Sequence, residues 1–269
     1  MPVTPVWHQA RLSLLLLAVA CNREGTRALR LGTTTTVRQS GMLAVAESLW
    51  NGPPLATVIG PSGQILRSAA QGDLDVVLTH APALEAKMLG PENTVERCPF
   101  VTSGFVVVGP AADPADVRTA GDAAEAFRRI ATRGATFVSR GDSSGTHERE
   151  LAVWHRAGLA PWQAGHRWYL ESGTDQTTTL RLADERGAYA LADLPTLATL
   201  HDLALQPLFG GDTMLVNRYS ISLMRLAAHP AAQRFLTWAL ATWRSRLLTI
   251  RLGDGTPAFT IAPGACTTS

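Results

Sequence analysis

The residues of this chain best suited to chemistry lie in one run, Ser139-Arg140-Gly141-Asp142-Ser143-Ser144-Gly145-Thr146-His147. Arg140 brings a fixed positive charge and a fork of N–H donors with no acceptor, and the residues after it are small or carry hydroxyls. Before the run, Ala135-Thr136-Phe137-Val138 reads as a short buried strand. After it, Leu151 and Trp154 sit at helical spacing and Gly158 offers a stop. A strand, a Gly/Ser loop and a helix start leave backbone N–H groups pointing outward, which is an anion site ready made. The chemistry predicted is therefore capture of an oxyanion. The alternative is a capped helix beside a solvated arginine.

The same run satisfies G-x-S-x-G over Gly141-Asp142-Ser143-Ser144-Gly145. On a strand-to-helix turn that pattern can be the nucleophile elbow of a secreted serine hydrolase, with Ser143 as nucleophile. Its partners would follow in the order acid then histidine, Asp193 or Asp202 with His229. A metal site is not expected, because His147 and His155 are eight apart and no Cys/His cluster exists. There is no Walker loop and no G-x-G-x-x-G, and no cofactor is called for.

Two more loops of the same kind belong to the elements that must position this one. Ala28-Leu29-Arg30-Leu31-Gly32 reads as a strand, Thr33-Thr34-Thr35-Thr36 as a loop, and Ser40-Gly41 as the entry to a helix. That helix has Met42, Val45, Ala46, Leu49 and Trp50 on one face and ends at Gly52-Pro53-Pro54. Ala56-Thr57-Val58-Ile59 is the next strand, Gly60-Pro61-Ser62-Gly63 a tight turn, and 64–71 a short helix closed by Gly72. Asp75-Val76-Val77-Leu78-Thr79 follows as a buried strand. Strands alternating with helices indicate a mostly parallel sheet covered on both faces, with ligands at the carboxyl ends of the strands. All three Thr/Ser/Gly loops fall at such ends.

Farther on, 105–110 is a strand, 110–116 a crossover, and 122–133 a helix with Ala124, Phe127 and Ile130 inward. Trp168-Tyr169-Leu170 and Ala188-Tyr189-Ala190-Leu191 are strand-like, with a helix over 178–186 between them. Leu203 to Phe209 leads to a return crossover at Gly210-Gly211. A strand-like stretch over 214–223 and a helix over 230–248 complete the pattern. Trp154, Trp238 and Trp243 read as core.

The composition is that of a globular protein, 46% hydrophobic and 17% charged, and 269 residues suffice for one large domain or two ordinary ones. A formal net charge of +2 is too small for a nucleic-acid surface. Leu12 to Ala20 is an apolar run preceded by Arg11, too short to span a bilayer and suited to a secretory signal. It ends in Leu17-Ala18-Val19-Ala20-Cys21, which resembles a bacterial lipobox with Cys21 as the acylated residue; a plain signal peptide is the alternative. Either way the working part lies outside the cytoplasm, where Cys98 and Cys266 can pair or remain free.

A family resemblance rests on four motifs in order. They are Leu31-Gly32-Thr33-Thr34-Thr35-Thr36 with Ser40-Gly41; Gly72-Asp73-Leu74-Asp75-Val76-Val77-Leu78-Thr79-His80-Ala81-Pro82; Phe137-Val138-Ser139-Arg140-Gly141-Asp142 through Gly145-Thr146-His147; and Trp168-Tyr169-Leu170-Glu171. Together they resemble tungstate-binding proteins of ABC importers over about residues 29 to 200. The resemblance implies an α/β type II periplasmic-binding-protein fold, two lobes joined by two crossovers with the ligand cleft between them. The lobes expected are 28–109 with 210–262, and 110–209. Carried over residue by residue, the family's Thr-rich loop falls on Thr34 and Thr35, its second turn on Ser62 and Gly63, and its arginine loop on Arg140, Ser144, Gly145 and Thr146.

What the resemblance implies is a monomeric extracytoplasmic binding protein, not an enzyme, delivering tungstate or molybdate to an ABC permease and its ATPase. A sensory protein of the same fold that no longer transports is the alternative to import. Three departures bear on the ligand. Ser103-Gly104 stands where the family tends to have Asn-Asp, Asp175 lies in what is usually a glycine-rich turn, and Ala192-Asp193-Leu194-Pro195 replaces Thr-Asp-Arg-Gly. Asp175 would repel an anion if it faced the cleft, whereas Arg38 could attract one. A fully deprotonated oxyanion has acceptors only, so a shell of N–H, O–H and guanidinium donors satisfies it.

Overall fold

The computed structural model of the protein describes Met1 and residues 27–163, 165–226 and 229–268. The signal-like run and Cys21 lie outside the described residues. Among the described residues no helix is long and apolar enough to cross a membrane.

The chain begins with β1 (Leu29–Thr34), the short α1 (Thr35–Gln39), α2 (Met42–Leu49), β2 (Leu55–Gly60), α3 (Ser62–Ala70), β3 (Val76–Thr79) and α4 (Pro82–Met88). β1 lies between β2 and β3 and is parallel to both, with Leu31 opposite Thr57 on one side and Val76 on the other. Helices cover both faces, which is why β1 and β3 read as nearly unbroken small and apolar runs and are almost wholly buried. The β1–α1 and β2–α3 junctions carry two of the small-residue loops named above.

β4 (Thr94–Gly109) is a single strand of 16 residues. It is followed by α5 (Ala123–Arg133), β5 (Phe137–Ser139), α6 (Gly145–Arg156), β6 (Tyr169–Glu171), α7 (Gln176–Glu185), β7 (Ala190–Asp193), α8 (Leu194–Leu197), β8 (Gln206–Gly210) and β9 (Val216–Met224). α5 has the ends its sequence predicts: the Asp122 side chain accepts from the Glu125 N–H, and Gly134 takes the left-handed conformation at φ 60°. β4 starts earlier than the apolar run at 105–108 suggests, because its first half is an antiparallel partner of β9, half-buried over Val95, Glu96 and Arg97. Its pairing with β9 shifts register between Pro99 and Thr102, where proline has no N–H to give the ladder. The stretch leading to Gly210 is β8, paired with the far half of β4.

Four apolar clusters among the described residues fill the interior of the two α/β halves, the smallest being Ile65, Ala69, Leu74, Val77 and Met224. One draws on residues 29–101 and 219–259, including Leu31, Phe100, Tyr219, Phe235 and Trp243. Two more lie within 105–215, with the rings of Phe127, Phe137 and Trp154 in mutual tilted and edge-on contact in the larger. β4 passes from one half to the other between Val101 and Phe105, and the chain returns between Leu215 and Tyr219. Two adjacent antiparallel strands thus form the connection between halves, and Ser103 pairs with Asn217 inside it.

The helix expected over 230–248 is α9 (Ala232–Trp238), a π-helical turn at Ala239–Trp243, and α10 (Arg244–Leu247). The tail adds β10 (Thr260–Ile261) and β11 (Thr267–Thr268) to the edge of β4. Cys98 and Cys266 are bonded, closing the chain across a sequence separation of 168. Glu96 beside them completes the sole grouping of potential metal-ligating side chains among the described residues, and the disulfide commits both of its sulfurs.

Candidate functional site

Arg140 follows β5 directly and is buried to 1% exposure, a position an arginine holds only with its donors engaged. Its Nε donates to the Thr174 carbonyl and its Nη1 to Thr36 Oγ1, each at 3.3 Å. Nη2 donates to Thr35 Oγ1 at 3.3 Å and pairs with the Asp142 carboxylate. Thr35 and Thr36 belong to the half built on β1, so the guanidinium bridges the two halves. Burial lowers the Arg140 pKa from its ordinary value, against the opposing fields of Asp142, Asp175 and Asp193; a guanidinium remains charged there.

The first loop is ordered by its own hydroxyl. Thr34 Oγ1 accepts from the Val37 N–H at 3.3 Å and caps α1, leaving its O–H as a donor. Thr36, which the sequence reading does not assign, is the residue whose hydroxyl faces Arg140 beside that of Thr35. Ser62 and Gly63 form the first turn of α3; Ser62 is fully buried and its Oγ has no partner within the protein. A Cβ on Gly63 would lie 3.8 Å from the Cβ and carbonyl oxygen of Ser143, so the second loop meets the third.

In the third loop, Ser144 caps α6 by accepting from the His147 N–H at 3.2 Å, and its own N–H donates to Asp142 Oδ1 at 3.2 Å. Gly145 packs so tightly on the other half that a Cβ would lie 2.5 Å from both Nδ1 and the carbonyl oxygen of His80. Thr146 Oγ1 is buried and without a partner. Thr35, Arg140 and Asp142 are thus joined by hydrogen bonds, Gly63 lies against Ser143, and Ser62 and Thr146 each contribute an unpaired buried hydroxyl.

Beneath the arginine loop lies Glu150, 1% exposed on α6. Its carboxylate accepts from Ser139 Oγ at 2.7 Å, Tyr169 Oη at 2.8 Å and Trp154 Nε1 at 3.2 Å, and is also bonded by the Arg140 backbone N–H. Burial raises its pKa to about 7 in spite of those donors. The sequence carries a signal for this that its reading leaves unused: Glu150 stands four residues before the core residue Trp154, so helical spacing puts both on the inward face.

His80 is also missed by sequence reasoning, although it lies in a quoted motif. Its Nδ1 is 3.0 Å from Asn217 Oδ1. Asn217 Nδ2 donates to Asp193 Oδ1 and to Tyr219 Oη, so Oδ1 is the acceptor for His80 Nδ1–H and Nε2 is left as an unpartnered acceptor. Burial, reinforced by Arg140, lowers the His80 pKa to about 3, so the ring is neutral. Asp193, fully buried with a raised pKa from burial, also accepts from Ser103 Oγ at 2.9 Å and from the N–H and Oγ1 of Thr196. This network occupies the connection between halves, and a Cβ on Gly104 would meet Leu194 Cδ2 at 3.8 Å. Two of the departures noted from the sequence, Ser103-Gly104 and Asp193-Leu194, therefore pack on each other.

Asp175 caps α7, with Oδ1 accepting from the Thr178 N–H at 3.0 Å. Burial acts to raise its pKa, but hydrogen bonds from Thr178 and Gln39 prevail and hold it low. The hydrolase triad does not assemble. His229 has both ring nitrogens on backbone, Nε2 at the Arg27 carbonyl and Nδ1 accepting from the Ala231 N–H. Asp202 pairs with Arg181 at the surface and Asp193 is held in the buried network. Ser143 has φ 57° and its N–H points to His147 Nδ1.

Residues 22–242 match the PBP superfamily domain. The chain belongs to the PBP superfamily. Among relatives of this PBP-superfamily protein, one from Haloferax volcanii carries the name of an ABC transporter anion-binding protein and is 39% identical over 226 residues, 80% of this chain. The tungstate-binding protein TupA of Peptoclostridium acidaminophilum is 33% identical over 197 residues, 71% of this chain. The chain spans 65% and 68% of the lengths of these two relatives. The crystal structure of the tungstate ABC transporter protein from Geobacter sulfurreducens superposes with a TM-score of 0.71 at 35% identity, covering 80% of this chain and 94% of that one. The fold is the α/β fold of periplasmic binding proteins, and the first two relatives carry the names of binding proteins.

Proposed function

We propose that this PBP-superfamily protein captures a tetrahedral oxyanion, tungstate or molybdate, outside the cytoplasm and delivers it to an ABC permease. The observation that carries this reading is the buried Arg140 guanidinium reaching across to the Thr35 and Thr36 hydroxyls, with Ser62 Oγ and Thr146 Oγ1 buried and unpaired nearby. The ligand set is Thr34, Thr35, Ser62, Gly63, Arg140, Ser144, Gly145 and Thr146, to which Thr36 is added. Hydroxyls, N-terminal N–H groups of α3 and α6, and one guanidinium offer donors to a ligand that has only acceptors. Low dielectric around them strengthens each contact. The names of the relatives support the same ligand class.

The lobes expected at 28–109 with 210–262, and at 110–209, are proposed with their boundaries moved to Ser103–Phe105 and to the start of β9, because Phe105, Val107, Leu208 and Leu215 pack in the second half. Bending there would open and close the cleft and give the permease a shape to recognise. The disulfide is consistent with an oxidising compartment. Acylation at Cys21 and a monomeric state complete the proposal. Calorimetric titration of the mature chain, with Cys21→Ser, against tungstate, molybdate, sulfate and phosphate tests it. Submicromolar binding of tungstate or molybdate, weakened at least tenfold (about 1.4 kcal/mol) in Arg140→Ala, is expected. Binding of none of the four sinks the assignment.

A further inference from the structure

Asp142 is the one residue of the arginine loop whose chemistry opposes the proposed ligand. Its side chain is 8% exposed, one carboxylate oxygen accepts from Arg140 Nη2 and the other from the Ser144 N–H. Both donors belong to the oxyanion set. The guanidinium has five N–H groups; with Thr174, Thr36, Thr35 and Asp142 served, a single N–H on Nη1 is left for a ligand. The pair also offsets the guanidinium charge with that of the carboxylate, so a dianion entering beside it gains less from Arg140 than from an unpaired guanidinium. An oxyanion can take the Nη2 and Ser144 donors only if the carboxylate leaves them.

The backbone allows that movement. Asp142 lies between two residues in the left-handed region, Gly141 at φ 60° and Ser143 at φ 57°. Gly141 adopts this without penalty, whereas for serine it costs about 1 to 2 kcal/mol, which a change of the turn would release. A Cβ at Gly141 would lie 2.9 Å from the Glu171 Cβ, so the turn depends on glycine there.

We propose that the Asp142 carboxylate is a built-in competitor for the oxyanion cradle, displaced by each ligand that binds, and so sets the affinity an anion must exceed to be retained. This rests on the oxyanion reading above. A displaced carboxylate costs every ligand the same free energy, because its own lost contacts do not depend on what replaces it. A carboxylate that stays in place instead repels a dianion about twice as strongly as a monoanion.

The test titrates the mature chain, Asp142→Asn and Asp142→Ala with tungstate, a tetrahedral dianion, and with perrhenate, a tetrahedral monoanion of nearly the same size. Perrhenate affinity is read by displacement of tungstate, and folding is checked by circular dichroism and thermal melting. The expected result is tighter tungstate binding by tenfold or more in both variants, with an equal gain for perrhenate. Unchanged or weaker binding in the variants overturns the proposal and makes Asp142 a support for Arg140. A tungstate gain well above the perrhenate gain also overturns it, since the carboxylate then stays and repels. If wild type binds tungstate and these ratios fail, only the Asp142 role is lost; if neither wild type nor folded variants bind, the oxyanion reading falls with it.

Discussion

Glu150 turns the architecture under Arg140 into a pH dependence that can be measured. Its pKa stands at about 7 in the folded protein against an ordinary 4.5, the largest cause being burial. Between those values the folded state holds a proton that the unfolded chain has released. The folded pKa is raised and the group is an acid, so stability is greatest below about 4.5, falls as pH rises through that window, and has lost its full increment above about 7. Each unit is worth about 1.4 kcal/mol, so a shift of this size gives about 3 kcal/mol as an order of magnitude. Glu150→Gln keeps the shape and an acceptor for Ser139 or Tyr169 but cannot ionise. Urea unfolding of both proteins at pH 5 and pH 8 isolates the residue, because every other group titrates in both. Relative to wild type, the variant should gain roughly 2.5 kcal/mol in going from pH 5 to pH 8, since part of the increment is already lost at pH 5. Parallel pH profiles would refute the reasoning and mean that water or a rearrangement solvates Glu150.

Gly145→Ala should push the halves apart, because the new Cβ meets the His80 carbonyl as well as its ring; tungstate affinity should drop at least tenfold with a small change in melting temperature, and unchanged affinity in calorimetry would count against cleft closure at this contact. Ser62→Ala and Thr146→Ala each remove a buried hydroxyl that has no partner, so each should leave stability equal or raised by up to about 1 kcal/mol while tungstate binding weakens severalfold; a stability loss of several kcal/mol would mean the hydroxyl has a structural partner. Reducing the Cys98–Cys266 bond frees a segment closed over a separation of 168, which by chain entropy is worth about 5 kcal/mol; equal urea midpoints for the oxidised and reduced proteins would show that β11 holds the tail without it.

The sequence alone determined the local parts of this protein. Strand runs such as Val76-Val77-Leu78, the caps of α5 and α6, and the three Thr/Ser/Gly loops are written in periodicities of two and 3.6 and in the few residue types that fit a helix start. These signals act over a handful of residues, so they survive without the fold. The tertiary structure decided which of those parts meet. Arg140 finds Thr36, 104 residues away, and His80 finds Asn217, 137 residues away, and nothing in either neighbourhood encodes the other. β4 crosses from one half to the other between Val101 and Phe105, within the strand and ahead of its stop at Gly109-Pro110 where the crossover was expected, because pairing with β9 holds its first half extended. The same holds for charge. Asp142 looks like a surface residue in the sequence, and Glu150 is placed inward by its spacing from Trp154 but without its partners; only the burial imposed by the surrounding chain turns one into a partner of the binding arginine and raises the pKa of the other toward neutrality.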